Sequence, residues 1–233
     1  MRIAGFIKNS FVDFRGKVAA VIFTPGCNFD CYYCHNRELI SSSSVNSGLC
    51  EEDVLSFIEK RHSLLDGIVI SGGEPTLQDD LSLFLEKLKK YSLPIKLDTN
   101  GSRPAIIKTL IDESLVDYIS MDIKAPFDKY PEVSGANFDL ECIKLSIRLI
   151  MMSNIDYEFR TTVVPELDLE DLEEIALYIK GAKRYTIQQY RPIEKYKKIV
   201  DLRAKLPPHK PSFFTEAKEK LETILNCVEL KGV

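Results

Sequence analysis

The stretch Val18-Ala19-Ala20-Val21-Ile22-Phe23-Thr24-Pro25-Gly26-Cys27-Asn28-Phe29-Asp30-Cys31-Tyr32-Tyr33-Cys34 governs how the rest of the chain is read. An apolar run of strand length delivers three cysteines, spaced x3 and then x2, into one tight loop. Three soft thiolates at that spacing suit zinc or an iron–sulfur cluster. A 4Fe–4S cube has four irons, and cysteine usually holds all of them. Three ligands therefore leave one iron open, and an open position marks a catalytic rather than a structural metal site. The zinc alternative uses His35 as a fourth ligand, but His35 directly follows Cys34, which makes tetrahedral ligation by both awkward.

At 233 residues the chain suits one domain, 1–233, and is long enough to bury a full core. Its formal charge of −4 argues against nucleic acid or an anionic membrane as the main partner. Residues 1–10 are polar and broken by Gly5, so they read as neither a signal peptide nor a membrane span, and a cytoplasmic location is expected. A reducing compartment makes bunched cysteines metal ligands rather than disulfide partners. Cys50, Cys142 and Cys227 are scattered and read as small buried or half-buried side chains.

Apolar runs alternate with segments of helical period, the pattern of a parallel α/β fold. Strands are expected over 18–23, 68–70, 95–99, 118–123, 157–164 and 186–190, and helices near 51–64, 78–91, 104–114, 138–152, 168–180 and 213–226. Asp168 is placed to cap the fifth helix and Gly181 to stop it. The tail 228–231 reads as a short edge strand. Loop character is expected at the serine run 41–44 and over 191–211, a long irregular connection that reads as a lid or a partner-facing segment.

Four of the strands keep one polar face. Lys96, Asp98 and Asn100 share a side, as do Ser120, Asp122 and Lys124, then Glu158, Arg160 and Thr162, and finally Thr186, Gln188 and Tyr190. Parallel strands covered on both sides by core are apolar throughout. These faces therefore line an interior cavity or, alternatively, meet solvent in an open sheet. A partial (β/α)6 barrel fits the first reading, with its active site at the C-terminal ends of the strands.

Cys27, Cys31 and Cys34, with the aromatic Tyr33 before the last cysteine, resemble the signature of the radical S-adenosylmethionine superfamily. Gly72-Gly73-Glu74-Pro75 after the second expected strand resembles that superfamily's glycine-rich contact to the methionyl amino group. Cys34-His35-Asn36, Asp98-Thr99-Asn100-Gly101, Met121-Asp122-Ile123-Lys124 and Arg160 ahead of Val163-Val164-Pro165 are similar to the glycyl-radical-enzyme activases. So is Phe11-Val12-Asp13-Phe14-Arg15-Gly16, although activases often carry proline where Arg15 stands. The nearest group is the activating proteins of anaerobic ribonucleoside-triphosphate reductase.

The resemblance implies a 4Fe–4S cluster on the three cysteines, in a cluster loop over 24–36, and S-adenosylmethionine chelated at the open iron. It implies reductive cleavage to a 5′-deoxyadenosyl radical and removal of hydrogen from a glycine of a partner glycyl radical enzyme. Tyr33, Asn36, Gly72, Gly73, Glu74, Asp98, Asn100, Asp122, Lys124 and Arg160 become the implied cofactor contacts. Lys124 and Arg160 are the implied catalytic pair. A monovalent cation at Asp98, Thr99 and Asp122, and a flavodoxin or ferredoxin as electron donor, are further implications. The histidine that some activases place on their last strand has no match here; Gln188, Gln189 or Tyr190 occupies that region. The competing readings are a radical enzyme acting on a small molecule, as in deazapurine synthesis, and a non-catalytic iron–sulfur protein.

Overall fold

A computed structural model describes residues 1–41, 48–193 and 201–233. Most of the expected serine loop, at 42–47, and part of the 191–211 connection, at 194–200, lie outside the described residues. Eight strands, β1 (Gly5–Ser10), β2 (Ala19–Thr24), β3 (Gly67–Gly72), β4 (Ile95–Thr99), β5 (Tyr118–Asp122), β6 (Asp156–Val163), β7 (Tyr185–Gln189) and β8 (Val228–Lys231), join in one sheet in sequence order. The order starts at β1 and ends at β8, so the α/β fold is open rather than a closed barrel. The helices are α1 (Glu51–Arg61), α2 (Leu81–Lys89), α3 (Pro104–Asp112), α4 (Tyr130–Ser134), α5 (Leu140–Met152), α6 (Leu169–Tyr178) and α7 (Pro211–Leu221). None of them is long and apolar enough to cross a membrane.

The chain packs as two compact units. The first comprises Met1–Asn28, Asn36–Ser120 and Glu141–Asp156. Here β1 runs antiparallel to β2, with Gly5 opposite Phe23. Then β2, β3 and β4 run parallel, Ala19 opposite Gly67 and Ile68 opposite Ile95. Thr24 and Gly72 are register partners, so the loop carrying Cys27 and the glycine-rich loop leave the sheet at one level. Phe14, Ala19, Val21 and Val69 pack together under Phe23 and Tyr118. Ile58 of α1, Phe84, Leu85 and Leu88 of α2, and Ile107 and Leu110 of α3 are fully buried. Each such side chain contributes about 1.5–3 kcal/mol by leaving water.

The second unit comprises Phe29–His35, Met121–Leu140 and Tyr157–Val233. Strands β6, β7 and β8 are parallel, with Phe159 opposite Tyr185 and Tyr185 opposite Val228. Along β6, buried Tyr157, Phe159, Thr161 and Val163 alternate with half-buried Glu158, Arg160 and Thr162, as the polar-face reading expects. Lys96, Ser120 and Thr186 are buried too, so these faces do not simply meet solvent. Asp168 caps α6, accepting from the Asp171 N–H while Asp171 accepts from the Asp168 N–H.

Strand β1 and the short helix α4 are additions to the expected elements. One of the scattered cysteines also departs from its expected burial. Cys50 is exposed, at the N-cap of α1 with its sulfur 3.0 Å from Asp53 Oδ2, while Cys142 and Cys227 are half-buried.

Candidate active site

In the first unit, the backbone around Cys27 and the Gly72-Gly73-Glu74 loop are pressed together. The Gly73 N–H donates to Thr24 O at 2.9 Å, and the Glu74 N–H to Gly26 O at 2.8 Å. A Cβ on Gly73 would lie 2.0 Å from Gly26 O, and one on Gly72, whose φ is +121°, 2.3 Å from the Thr24 nitrogen. Only glycine permits that approach. The Cys27 N–H donates to Ile40 O, which closes the loop on its other side.

Glu74 is fully buried, and its carboxylate is a knot between two strand ends. Oε1 accepts from the Thr76 N–H at 3.1 Å, the Thr76 hydroxyl at 2.5 Å and the Thr99 hydroxyl at 2.8 Å; Oε2 accepts from the Asn100 N–H at 2.6 Å. Burial pushes its carboxyl up, against the pull of these four donors. The carboxylate expected among the cofactor contacts is thus hydrogen-bonded inside the fold by four donors. Asn100 is held in one orientation, because its Oδ1 accepts from the Ser102 N–H at 2.9 Å. Its Nδ2 then donates to Asn28 Oδ1 at 3.0 Å and points at Cys27 Sγ, 4.0 Å away. Asn28 in turn donates to the Ser102 hydroxyl at 2.9 Å. Asn28 and Ser102 escaped the sequence reading, although Asn28 sits inside the cysteine loop.

Asp98 Oδ1 meets Lys96 Nζ at 3.1 Å, and Lys96 also donates to Asp13 O at 2.6 Å. Thr99 gives its hydroxyl to Glu74 and accepts from the Gly101 N–H. In the second unit, Asp122 faces two protein cations, Lys124 Nζ at 2.9 Å and Arg160 Nε at 2.8 Å. Burial opposes its charge, yet Arg160 and Lys124 hold Asp122 well below the usual carboxylate range. Burial works against Lys124 likewise, but Asp122 beside it holds the ammonium well above its usual range. The carboxylates named for a monovalent cation are therefore already charge-balanced by protein groups. Arg160 O also accepts from the Ile123 N–H at 2.8 Å, so the expected catalytic pair stands on adjoining backbone.

The remaining cluster-loop residues, Phe29–His35, are anchored within the second unit. The Asp30 N–H donates to Ser134 O, and Gly135 lies against Asp30 so closely that a Cβ would fall 2.3 Å from its carbonyl oxygen. Phe29 stacks on Phe138 at 4.6 Å. The Cys34 N–H donates to Cys31 O at 3.0 Å, turning the loop between the two cysteines. The Tyr32 hydroxyl donates to Glu166 at 2.5 Å, and the Arg203 guanidinium covers its ring at 4.4 Å. Exposed His35 turns Nε2 to Arg191 O at 3.1 Å, away from the zinc-ligand role. Half-buried Asn36 opens a 3₁₀ turn over Arg37–Leu39. Gln188 bonds Thr162, Gln189 bonds His209 O, and Tyr190 bonds Ala204 O.

Cys27 belongs to the first unit, Cys31 and Cys34 to the second, and none of the three is joined in a disulfide. Among the described residues no three His, Cys, Asp or Glu side chains are grouped so as to hold a metal ion. The donor chemistry nevertheless fits an iron–sulfur cluster. Three thiols lie in one loop, with glycines packed closely against the backbone at both of its ends. Beside Cys31, the buried Tyr33 hydroxyl has no hydrogen-bond partner among the described residues.

The Radical SAM superfamily pattern matches residues 21–179. A provisionally named glycyl-radical enzyme activating enzyme of Methanocaldococcus jannaschii is 40% identical over 200 residues, 83% of this chain and 82% of that protein. The 7-carboxy-7-deazaguanine synthase of Thermococcus kodakarensis is 28% identical over 202 residues, 77% of each. Among solved structures, Streptococcus suis SuiB bound to S-adenosylmethionine aligns with 91% of this chain and 52% of its own, at a TM-score of 0.68 and 13% identity. That last likeness speaks for the fold alone. Three cysteines, a glycine-rich strand end and matches spanning most of the chain lead to one conclusion: the chain belongs to the radical SAM superfamily, whose cofactors are a 4Fe–4S cluster and S-adenosylmethionine.

Proposed function

We propose that this chain, acting over 1–233 as one catalytic domain, is a glycyl-radical enzyme activase whose partner is an anaerobic ribonucleoside-triphosphate reductase. The observation that carries this reading is the 40% identity to the M. jannaschii activating enzyme across most of both proteins. Cys27, Cys31 and Cys34 would hold the cluster. When bound, cluster and S-adenosylmethionine supply a 5′-deoxyadenosyl radical by one-electron reduction. The protein's task is then orientation and exclusion of competing reactions.

Gly72 and Gly73 present backbone at the site, fixed from behind by Glu74. Tyr33, Asn36, Asp98 and Asn100 orient the cofactors. Asp122 holds Lys124 and Arg160 as a rigid cationic pair, suited to an anionic carboxylate or to the carbonyls of a peptide. A flavodoxin or ferredoxin in the cytoplasm would supply the electron. The relative from T. kodakarensis favours a second reading, a radical enzyme acting on a small heterocyclic substrate.

Anaerobic reconstitution with iron and sulfide, followed by S-adenosylmethionine, a strong reductant and the reductase, separates the two. A doublet paramagnetic resonance signal of a glycyl radical on the reductase is the expected result, lost in Cys27→Ala, Cys31→Ala and Cys34→Ala. Deoxyadenosine formation without any partner radical would transfer the assignment to the small-molecule enzyme.

A further inference from the structure

Among the described residues six tyrosines are buried, and five of them have a hydrogen-bond partner for the hydroxyl. Tyr32 donates to Glu166, Tyr130 to Asp122 O, Tyr185 to Thr161 and Tyr190 to Ala204 O, while Tyr157 accepts from the Lys183 N–H. Tyr33 is the exception among these six, while the hydroxyl of half-buried Tyr178 is the other tyrosine oxygen without a partner among the described residues. Tyr33 is 6% exposed, its ring packs edge-on against Tyr32 at 5.3 Å, and its hydroxyl has no partner among the described residues.

A buried hydroxyl without a partner has lost its water and gained nothing, so phenylalanine would serve the empty fold better. The surroundings indicate what the hydroxyl is for. Cys31, Lys124 and Asp122 act on it electrostatically, with Tyr130 close behind. Lys124 is engaged by Asp122, and Asp122 by Arg160. The hydroxyl lies beside Cys31 without meeting hydrogen-bond geometry.

We propose that the Tyr33 hydroxyl is a built-in hydrogen-bond donor to a sulfur of the bound cluster, and that it tunes the cluster's reduction potential. This rests on the reading that Cys27, Cys31 and Cys34 hold that cluster. Donors to cluster sulfurs stabilise the more negative, reduced state and raise the potential.

The test uses the full chain with Tyr33→Phe. The empty variant should melt no earlier than wild type, since no bond is lost. Loaded anaerobically with iron and sulfide, it should match wild type in iron content but show a more negative midpoint in a titration monitored by paramagnetic resonance. In deuterated buffer, double-resonance spectra of the wild-type cluster should contain an exchangeable proton coupling that the variant lacks. A midpoint and proton spectrum unchanged by the substitution would overturn the proposal, as would a change seen only after S-adenosylmethionine is added, which would assign the acceptor to that molecule. A wild-type chain that takes up no iron overturns the cluster reading itself, a result distinct from a loaded pair that behave alike.

Discussion

Replacing Glu74 with glutamine keeps the shape of the side chain and changes only what its two terminal atoms can accept. If the amide oxygen takes the Oε1 position, it keeps the three donors from Thr76 and Thr99. The amide nitrogen then confronts the Asn100 N–H, donor against donor, where Oε2 had accepted at 2.6 Å. A hydrogen bond to a charged acceptor contributes about 1.5–3 kcal/mol, and a buried donor left unmatched costs about 1–3 kcal/mol. Partial relaxation of the loop brings the sum to about 3 kcal/mol, a large share of the roughly 5–15 kcal/mol that holds a domain together. Urea unfolding of the empty chain, followed by circular dichroism, should show the midpoint moving down by that amount. Thr99→Val, which deletes one donor to Oε1 and the acceptor of the Gly101 N–H, should cost about 1–3 kcal/mol. The two losses should fall short of additive in the double variant, because they remove parts of one network. A Glu74→Gln chain within about 0.5 kcal/mol of wild type would refute the reasoning, since it would mean that a neutral side chain satisfies Asn100 equally well.

Two further outcomes follow from the same geometry. Gly73→Ala places a methyl group 2.0 Å from Gly26 O, a backbone atom that cannot swing aside, so the loops must part. A destabilisation of about 1–3 kcal/mol and a sharp drop in iron bound per chain are expected, measured by unfolding and by iron analysis. Asp122 is held below the usual carboxylate range, so its stabilising contribution is complete above its ordinary value near pH 4 and fades as pH falls toward the lower folded value. Asp122→Asn should therefore lower stability at neutral pH and flatten the acid limb below about pH 4. An acid limb of unchanged slope would remove Asp122 from the account.

What could be read from residues alone follows a physical dividing line. The run at 18–23 is apolar on both faces and too short for a buried helix, so β2 appears there. Asp168 and Gly181 mark the ends of α6 through local backbone chemistry, and the alternation of β6 needs only its own period. By contrast, β1 is a thin edge strand whose Ile7, Lys8 and Asn9 remain exposed, so it lacks an apolar period and forms by pairing with β2. Helix α4 is five residues long and carries Pro131, too short for a pattern to register.

The site divides in the same way. Cysteine spacing and the paired glycines are visible in a line of text. That Glu74 fastens Thr99 and Asn100, or that Lys96 rather than a bound cation meets Asp98, depends on partners more than twenty residues apart or on strand faces folded inward. Arg203 lies in the irregular connection that gave no pattern, and its role over Tyr32 emerges only with 171 positions of chain folded between them.

The anchoring of Phe29–His35 bears on how such a chain comes to life on a ribosome. Tethers of that seven-residue segment within its unit come from far downstream: Tyr130, Ser134 and Phe138, then Glu166, then Arg191 and Arg203. Contacts of such sequence separation form late, because the intervening chain must first be made and ordered. Cys31 and Cys34 are thus made well before the residues that immobilise their segment. Until Arg203 has been made the two cysteines sit on a loose strand, and a delivery system for iron and sulfide would meet its finished target only after that residue has folded back over Tyr32.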